Sequence, residues 1–199
     1  MSKGRLEAFS DGVIAIIITI MVLELKVPHG DDWPALAKLL PVFLAYVLSF
    51  VYLAIYWNNH HHMLHTLHNV DGAILWANMH LLFWLSLIPF ATGWSSESHF
   101  ARAPTALYGA ALLMPAIAYY VLQAAIIRRQ GRDGPLARAV GRDLKGKASP
   151  LLYLTGIAFA FVLPAVSYAI YVFVALMWLV PDRRIEKRMG SEGLPRDAL

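Results

Sequence analysis

The chain is divided into long, predominantly apolar segments, and this arrangement leaves few folds open to it. Four segments, at about 5–27, 36–60, 70–94 and 105–127, reach the roughly 20 residues that a helix needs to cross about 30 Å of hydrocarbon. Only 15% of the 199 residues are charged, against about 25% in soluble domains. We therefore predict an all-α integral membrane protein with a single domain, because no hydrophilic stretch is long enough to fold alone.

The basic residues indicate how often the last apolar block, Leu151–Val180, crosses the membrane. Seven of the 17 Lys and Arg residues lie between the fourth segment and this block, and five follow it. Basic loops favour the cytoplasmic side, so both clusters are cytoplasmic only if the block crosses twice, turning near Pro164. The predicted regions are then short spans at about 150–164 and 167–181, a basic cytoplasmic loop at 128–149 and a cytoplasmic tail at 182–199. This gives six transmembrane helices with both termini in the cytoplasm.

The first segment contains ionisable residues that need partners. An unpaired charge costs roughly 2.5–3.5 kcal/mol at the centre of a membrane helix. Arg5 and Asp11 are six positions apart and lie on different faces of one helix, so each should contact a neighbouring helix. Two alternatives stay open. Ser10 or Asp11 could be the N-cap of a shorter helix that starts at Gly12, or the polar residues could form a purely structural interhelical network.

The first segment begins with the pattern Arg-x-x-x-Phe-Ser-Asp, formed by Arg5, Phe9, Ser10 and Asp11. This pattern resembles the hallmark of the transmembrane protein 175 family, which comprises endolysosomal potassium channels and their bacterial homologues. Further matches are Trp57 and His60 in the second segment, Asn78 in the third, and Ser86-Leu87-Ile88-Pro89-Phe90 at the end of the third. The similarity covers most of the chain, and its single six-helix unit matches the bacterial members.

The resemblance implies a potassium channel and not an enzyme. It implies a homotetramer around a central pore lined by the first helix, in the cell membrane of a bacterium. The partners would be K⁺ as the permeating ion, the lipid bilayer and further copies of the chain, with no cofactor, no metal site and no nucleic acid. Carried over from the family, Ile16 and Leu23 match a hydrophobic constriction, and Thr19 matches a hydroxyl layer between them. The motif residues expected to form an interhelical network are Arg5, Phe9, Ser10, Asp11, Trp57, His60 and Asn78.

The residues themselves agree in part with a pore-lining first helix. No Thr-Val-Gly-Tyr-Gly-like run is present, so a filter made of carbonyl rings is excluded. Spacings of three and four place one row of residues on one helix face, namely Gly12, Ile16, Thr19, Leu23 and Lys26. Lys26 fits poorly, because a ring of cations would repel K⁺, and it is expected to turn toward Glu24 or the lipid head groups. The alternative is that the apolar residues of this helix face lipid.

The most unusual local feature of the sequence is a cluster of five histidines, at positions 60, 61, 62, 65 and 68. His61, His65 and His68 fall at i, i+4 and i+7, a spacing that suits a metal site and would indicate a membrane metalloenzyme. No second histidine cluster supports this, and the chain has no cysteine. A proton channel or a weakly selective cation channel is therefore the main alternative function. A coupled transporter would need an internal repeat, for which there is no convincing sign.

Overall fold

A computed structural model describes residues 2–67, 69–131, 133–141 and 143–179, and every regular element in these ranges is a helix. The prediction of an all-α chain is confirmed for this part. The helices are α1 (Lys3–Met21), α2 (Trp33–Ala37), α3 (Leu40–His65), α4 (Gly72–Ser86), α5 (Ile88–Glu97), α6 (Arg102–Gln130), α7 (Pro135–Val140), α8 (Leu144–Ala160) and α9 (Pro164–Leu179). A 3₁₀ turn, Val22–Glu24, extends α1.

Within the described residues, four helical stretches are long and apolar enough to cross a membrane. They are Lys3–Glu24, Leu40–His65, Gly72–Glu97 and Arg102–Gln130. They lie where the first four spans were predicted, and the third combines α4 and α5. The helices α8 and α9 contain 17 and 16 residues, slightly fewer than the roughly 20 of a full crossing. The end of the predicted sixth span, beyond residue 179, and the predicted tail at 182–199 lie outside the described residues.

Two prolines separate the paired helices. Pro89 is the second residue of α5, and Pro164 is the first residue of α9. A proline lacks the N–H that continues a helix, and it is tolerated in the first turn, where that N–H has no intrahelical partner. The α4–α5 break therefore falls inside the third apolar segment, and the α8–α9 turn falls where the sequence predicts it.

The buried core has two parts, and α6 belongs to both. The first part lies between α1, α3, α4, the start of α5, α6 and α7, and the second between α3, α5, α6, α8 and α9. Tyr171 of α9 is fully buried, and a methyl group on Gly109 or Gly156 would overlap its side chain. Glycine at these two positions thus permits the close approach of α6, α8 and α9. Helix α1 contacts only the first part of the core, so one of its faces is left uncovered.

Candidate pore helix and its polar network

Helix α1 has one buried face. Its buried residues are Leu6, Ser10, Ile14, Ile17 and Met21. Their spacing of three and four residues defines one side of the helix, which packs on α3, α4 and α5. Helix α1 continues through Gly12 from Lys3, so the alternative of a shorter helix capped by Ser10 or Asp11 is wrong.

The opposite face carries the residues predicted to line a pore. Gly12, Ile16, Thr19 and Leu23 are all exposed in the single chain, with Ile16 at 61% and Leu23 at 74% of their full accessibility. Ile18 lies off this row and packs, partly buried, against the first part of the core. An apolar stripe of this kind needs lipid or another protein surface to cover it.

The Thr19 hydroxyl is oriented by its own helix. Its Oγ1 donates to the backbone carbonyl oxygens of Ala15 and Ile16, at 3.0 and 2.9 Å. Because the single hydroxyl proton is used toward the backbone, the oxygen lone pairs remain free on the exposed side. Thr19 can therefore present an acceptor, and not a donor, to whatever faces this side of α1.

Lys26 turns away from the row, as expected, but its partner is not Glu24. Its Nζ donates to Glu97 Oε1 at 2.9 Å. Glu24 instead lies against α5, where a methyl group on Gly93 would be 3.0 Å from Glu24 Oε2. The cation is therefore paired with a carboxylate at the end of α5.

A chain of hydrogen bonds crosses three helices. His60 Nε2 of α3 lies 2.7 Å from Asn78 Oδ1 of α4, and Asn78 Nδ2 donates to Ser10 Oγ of α1 at 2.9 Å. Ser10 in turn donates to the Leu6 carbonyl oxygen at 2.8 Å. Since Asn78 Oδ1 can only accept, His60 Nε2 carries the proton. Ser10, Asn78 and His60 are at most 1% exposed, so the hydrogen bonds that join them are buried among the helices.

The other motif residues lie nearer the surface. Trp57 Nε1 of α3 donates to Asp11 Oδ1 at 3.0 Å, which gives Asp11 its predicted contact with a neighbouring helix. Phe9 is 49% exposed. Arg5 is exposed and forms no hydrogen bond or ion pair with any residue that the structure describes. Within one chain, the motif therefore divides into a buried serine, a partnered aspartate and two exposed residues.

Two further polar contacts were not predicted from the sequence. Lys3 Nζ donates to the His65 carbonyl oxygen at 2.9 Å and so connects the beginning of α1 with the end of α3. A hydroxyl cluster joins α3, α5 and α6, where Ser49 Oγ lies 2.7 Å from Thr92 Oγ1 and 2.9 Å from the Tyr108 hydroxyl. Small polar residues within apolar helices are the sequence signal that could have identified this cluster.

The described histidines of the cluster do not all point in the same direction. His60 points into the buried network, whereas His61 and His65 are exposed on α3, with their rings 6.2 Å apart. His68 lies outside the described residues. Among the residues that the structure describes, no three His, Asp or Glu side chains are placed to hold a metal ion.

Comparison with known proteins gives four related findings. The family described as "Endosomal/lysosomal potassium channel TMEM175" matches residues 5–89. A potassium channel of Chryseobacterium sp. (strain P1-3) is 57% identical over 95% of this chain and 98% of that protein. The crystal structure of a lysosomal potassium-selective channel TMEM175 homolog from Chamaesiphon minutus superposes with a TM-score of 0.77. It is 30% identical and covers 89% of this chain and 96% of that one. The human endosomal/lysosomal proton channel TMEM175 is 34% identical over 52% of this chain and 23% of that protein.

Proposed function

Because the chain belongs to the TMEM175 family, we propose that it is a potassium channel, which conducts K⁺ passively across a membrane. The protein is a multi-pass membrane channel and not an enzyme. The observation that carries the proposal is the division of α1 into a buried face and an exposed face that bears Ile16, Thr19 and Leu23. The proposed location is the cell membrane of a bacterium.

One copy of α1 cannot enclose a path for ions, so the pore requires several chains. In the proposed homotetramer, four α1 helices direct the row from Gly12 to Leu23 toward a common axis. Rings of Ile16 and Leu23 form hydrophobic constrictions, which can close by excluding water. The Thr19 oxygens lie between these rings and replace part of the hydration shell that K⁺ loses there. Lys26 is kept off the axis by its pairing with Glu97.

The polar network positions α1 in this proposal. The bond from Asn78 to Ser10 and the bond from Trp57 to Asp11 connect α1 to α4 and α3. Both contacts lie off the exposed row, so they fix the rotation of α1 about its own axis without entering the path. The uncovered Arg5 and Phe9 are available to a neighbouring copy. We assign the network this positioning role and assign conduction to the exposed row.

Reconstitution in liposomes tests the proposal. With an imposed K⁺ gradient, fast uncoupled K⁺ flux is expected, and a smaller Na⁺ flux is expected under the same gradient. A proton channel is the second candidate, because a human relative carries that name. It would instead acidify the liposomes in the absence of any permeant metal cation. Liposomes that are impermeable to K⁺ at high protein density would contradict the proposed function.

Thr19→Val is expected to reduce the preference for K⁺ over Na⁺. Valine keeps nearly the same shape but removes the oxygen that would face the ion, and the two backbone bonds it loses lie within one helix. Thr155→Val is the matched control, because the exposed Thr155 also bonds to a carbonyl of its own helix, Leu151, at 2.9 Å. The ratio of K⁺ to Na⁺ flux should fall for the first variant only. An equal ratio in both variants would remove Thr19 from the selectivity mechanism.

Single-cysteine labelling tests the proposed six spans. The chain has no cysteine, so each introduced thiol is the only reporter. Cysteines at Ser2, Asp133 and Ser191 should be labelled from the cytoplasmic side, and cysteines at Ala103 and Val162 from the outside. Ser191 lies outside the described residues, and Val162 is 72% exposed between α8 and α9. Labelling of the Ser191 variant from outside would show that the last block crosses once.

A further inference from the structure

A cavity of about 550 Å³ opens between the second half of α6 and the connection that leads from α7 into α8. This volume is within the range of small-molecule sites, about 300–1,000 Å³. The polar lining residues are Tyr120, Gln123, Arg128, Asp143 and Lys147. In the proposed topology the cavity opens at the cytoplasmic surface, within the loop predicted to be basic. None of its lining residues belongs to α1, so it is not part of the proposed pore.

Gln123 is a largely buried residue in the wall of the cavity. It is 6% exposed, its side chain borders the cavity, and it forms no hydrogen bond with any residue that the structure describes. Gln130 lies seven residues further along α6, and unlike Gln123 it has hydrogen-bond partners. Its Nε2 donates to the Thr66 carbonyl oxygen at 2.8 Å, and its Oε1 accepts from the Leu136 N–H at 3.3 Å. Among the described residues, Ser167 Oγ is the only fully buried side-chain polar atom without a partner, so the Gln123 amide is open to the cavity. It can therefore donate to and accept from a molecule that enters there.

The charges around the cavity favour an anion. Arg128 and Lys147 both border it, and neither forms an ion pair with a described residue. The carboxylate of Asp143 also borders it, but Asp143 Oδ1 accepts the Gly146 N–H at 2.9 Å as the N-cap of α8. By contrast, Arg129 lies next to Arg128 and pairs with Asp71 at 3.7 Å. The lining residues that the structure describes thus include two cations and one carboxylate, and the carboxylate already accepts a hydrogen bond as a helix cap. Their net charge is positive.

We infer that this cavity binds a phosphate-bearing group. Arg128 would hold two phosphate oxygens with its planar guanidinium, Lys147 would pair with the same phosphate as a point charge, and the Gln123 amide would bond to a neighbouring ester or hydroxyl oxygen. The wall also contains apolar residues, among them Ile127 and Val140, and Tyr120 is 60% exposed at its rim. Such a wall suits the glycerol region of an anionic lipid, at the depth where tyrosines concentrate in membrane proteins. A soluble phosphate ester has the same phosphate chemistry.

Binding in detergent micelles distinguishes the two sources of phosphate. Purified protein is titrated with phosphatidylglycerol, with zwitterionic phosphatidylcholine, and separately with water-soluble glycerol phosphate, while bound ligand is counted by native mass spectrometry. A lipid site binds phosphatidylglycerol in preference to the other two. A site for a soluble ester binds glycerol phosphate as well as the lipid. Equal retention of phosphatidylglycerol and phosphatidylcholine, without binding of glycerol phosphate, overturns the inference.

A pair of lysines two residues apart supplies the matched variants. Lys147→Gln and Arg128→Gln should each weaken binding of the preferred ligand about tenfold, the loss of about 1.4 kcal/mol. Lys145→Gln removes the same charge from the same helix but does not border the cavity, and it should change affinity less than twofold. If Lys145→Gln and Lys147→Gln weaken binding alike, the attraction is general surface electrostatics and the site does not exist.

Gln123→Leu separates ligand binding from a structural role. Leucine removes the unpartnered amide, so the ligand-free melting temperature should stay the same or rise. The increase in melting temperature on adding the preferred ligand should shrink by at least half, because the bond to the amide is lost. A variant that melts lower without ligand, or that keeps the full ligand-induced shift, shows that Gln123 is not part of a binding site.

Discussion

Replacing Ile16 with asparagine is expected to raise K⁺ flux about tenfold, the effect of lowering a barrier by about 1.4 kcal/mol. A ring of branched apolar side chains excludes water from a narrow pore, and a ring of amides allows water to enter. Ile16 is 61% exposed on the face of α1 opposite the core, so the substitution should leave the fold of the chain intact. The flux per reconstituted protein is measured at matched protein density, and the melting temperature is measured in parallel.

Ile18→Asn is the control on the same helix. Ile18 lies off the exposed row and packs partly buried against the core, so asparagine there should lower the melting temperature without raising flux. In the opposite direction, Ile16→Phe should reduce flux, because a larger apolar side chain narrows the same ring. If the two asparagine variants conduct alike, this face of α1 does not line the path, and the pore assignment has to be given up.

Replacing Asn78 with leucine is expected to destabilise the protein by roughly 2–4 kcal/mol. Asn78 is fully buried, and it accepts from His60 Nε2 while donating to Ser10 Oγ. Leucine removes both bonds and leaves the His60 N–H buried without an acceptor. The same change frees α1 from α4, so K⁺ flux through the surviving folded protein should become variable or be lost. Thermal melting in detergent measures the first effect, and liposome flux measures the second.

Asn59→Leu provides the comparison for this second prediction. Asn59 is a half-buried asparagine of α3, and among the described residues its Nδ2 bonds only to the Ile55 carbonyl oxygen of its own helix, at 2.9 Å. Its replacement should cost much less than 2 kcal/mol, because no other helix loses a partner. Equal destabilisation by the two leucine variants would mean that the bonds between helices contribute nothing beyond those within a helix.

The sequence by itself determines those features of this protein that depend on which residues follow one another within a short stretch of the chain. The helical segments follow from uninterrupted apolar composition. Helices α5 and α9 begin at or next to Pro89 and Pro164, but Pro115 and Pro150 lie inside α6 and α8, so a proline alone does not fix a break. The two faces of α1 follow from its periodicity, since residues three and four apart share a side wherever the helix is placed. These properties require no knowledge of the neighbouring helices.

The tertiary structure alone decides which of these residues meet. It joins Ser10 to Asn78, 68 positions away, pairs Lys26 with Glu97, 71 positions away, and leaves Arg5 uncovered. It also leaves the Gln123 amide facing a cavity, although nothing in its local sequence separates it from the satisfied Gln130. Such contacts depend on the rotation and relative depth of whole helices. Those variables are set by the packing of all the helices together, so no single segment of the sequence carries them.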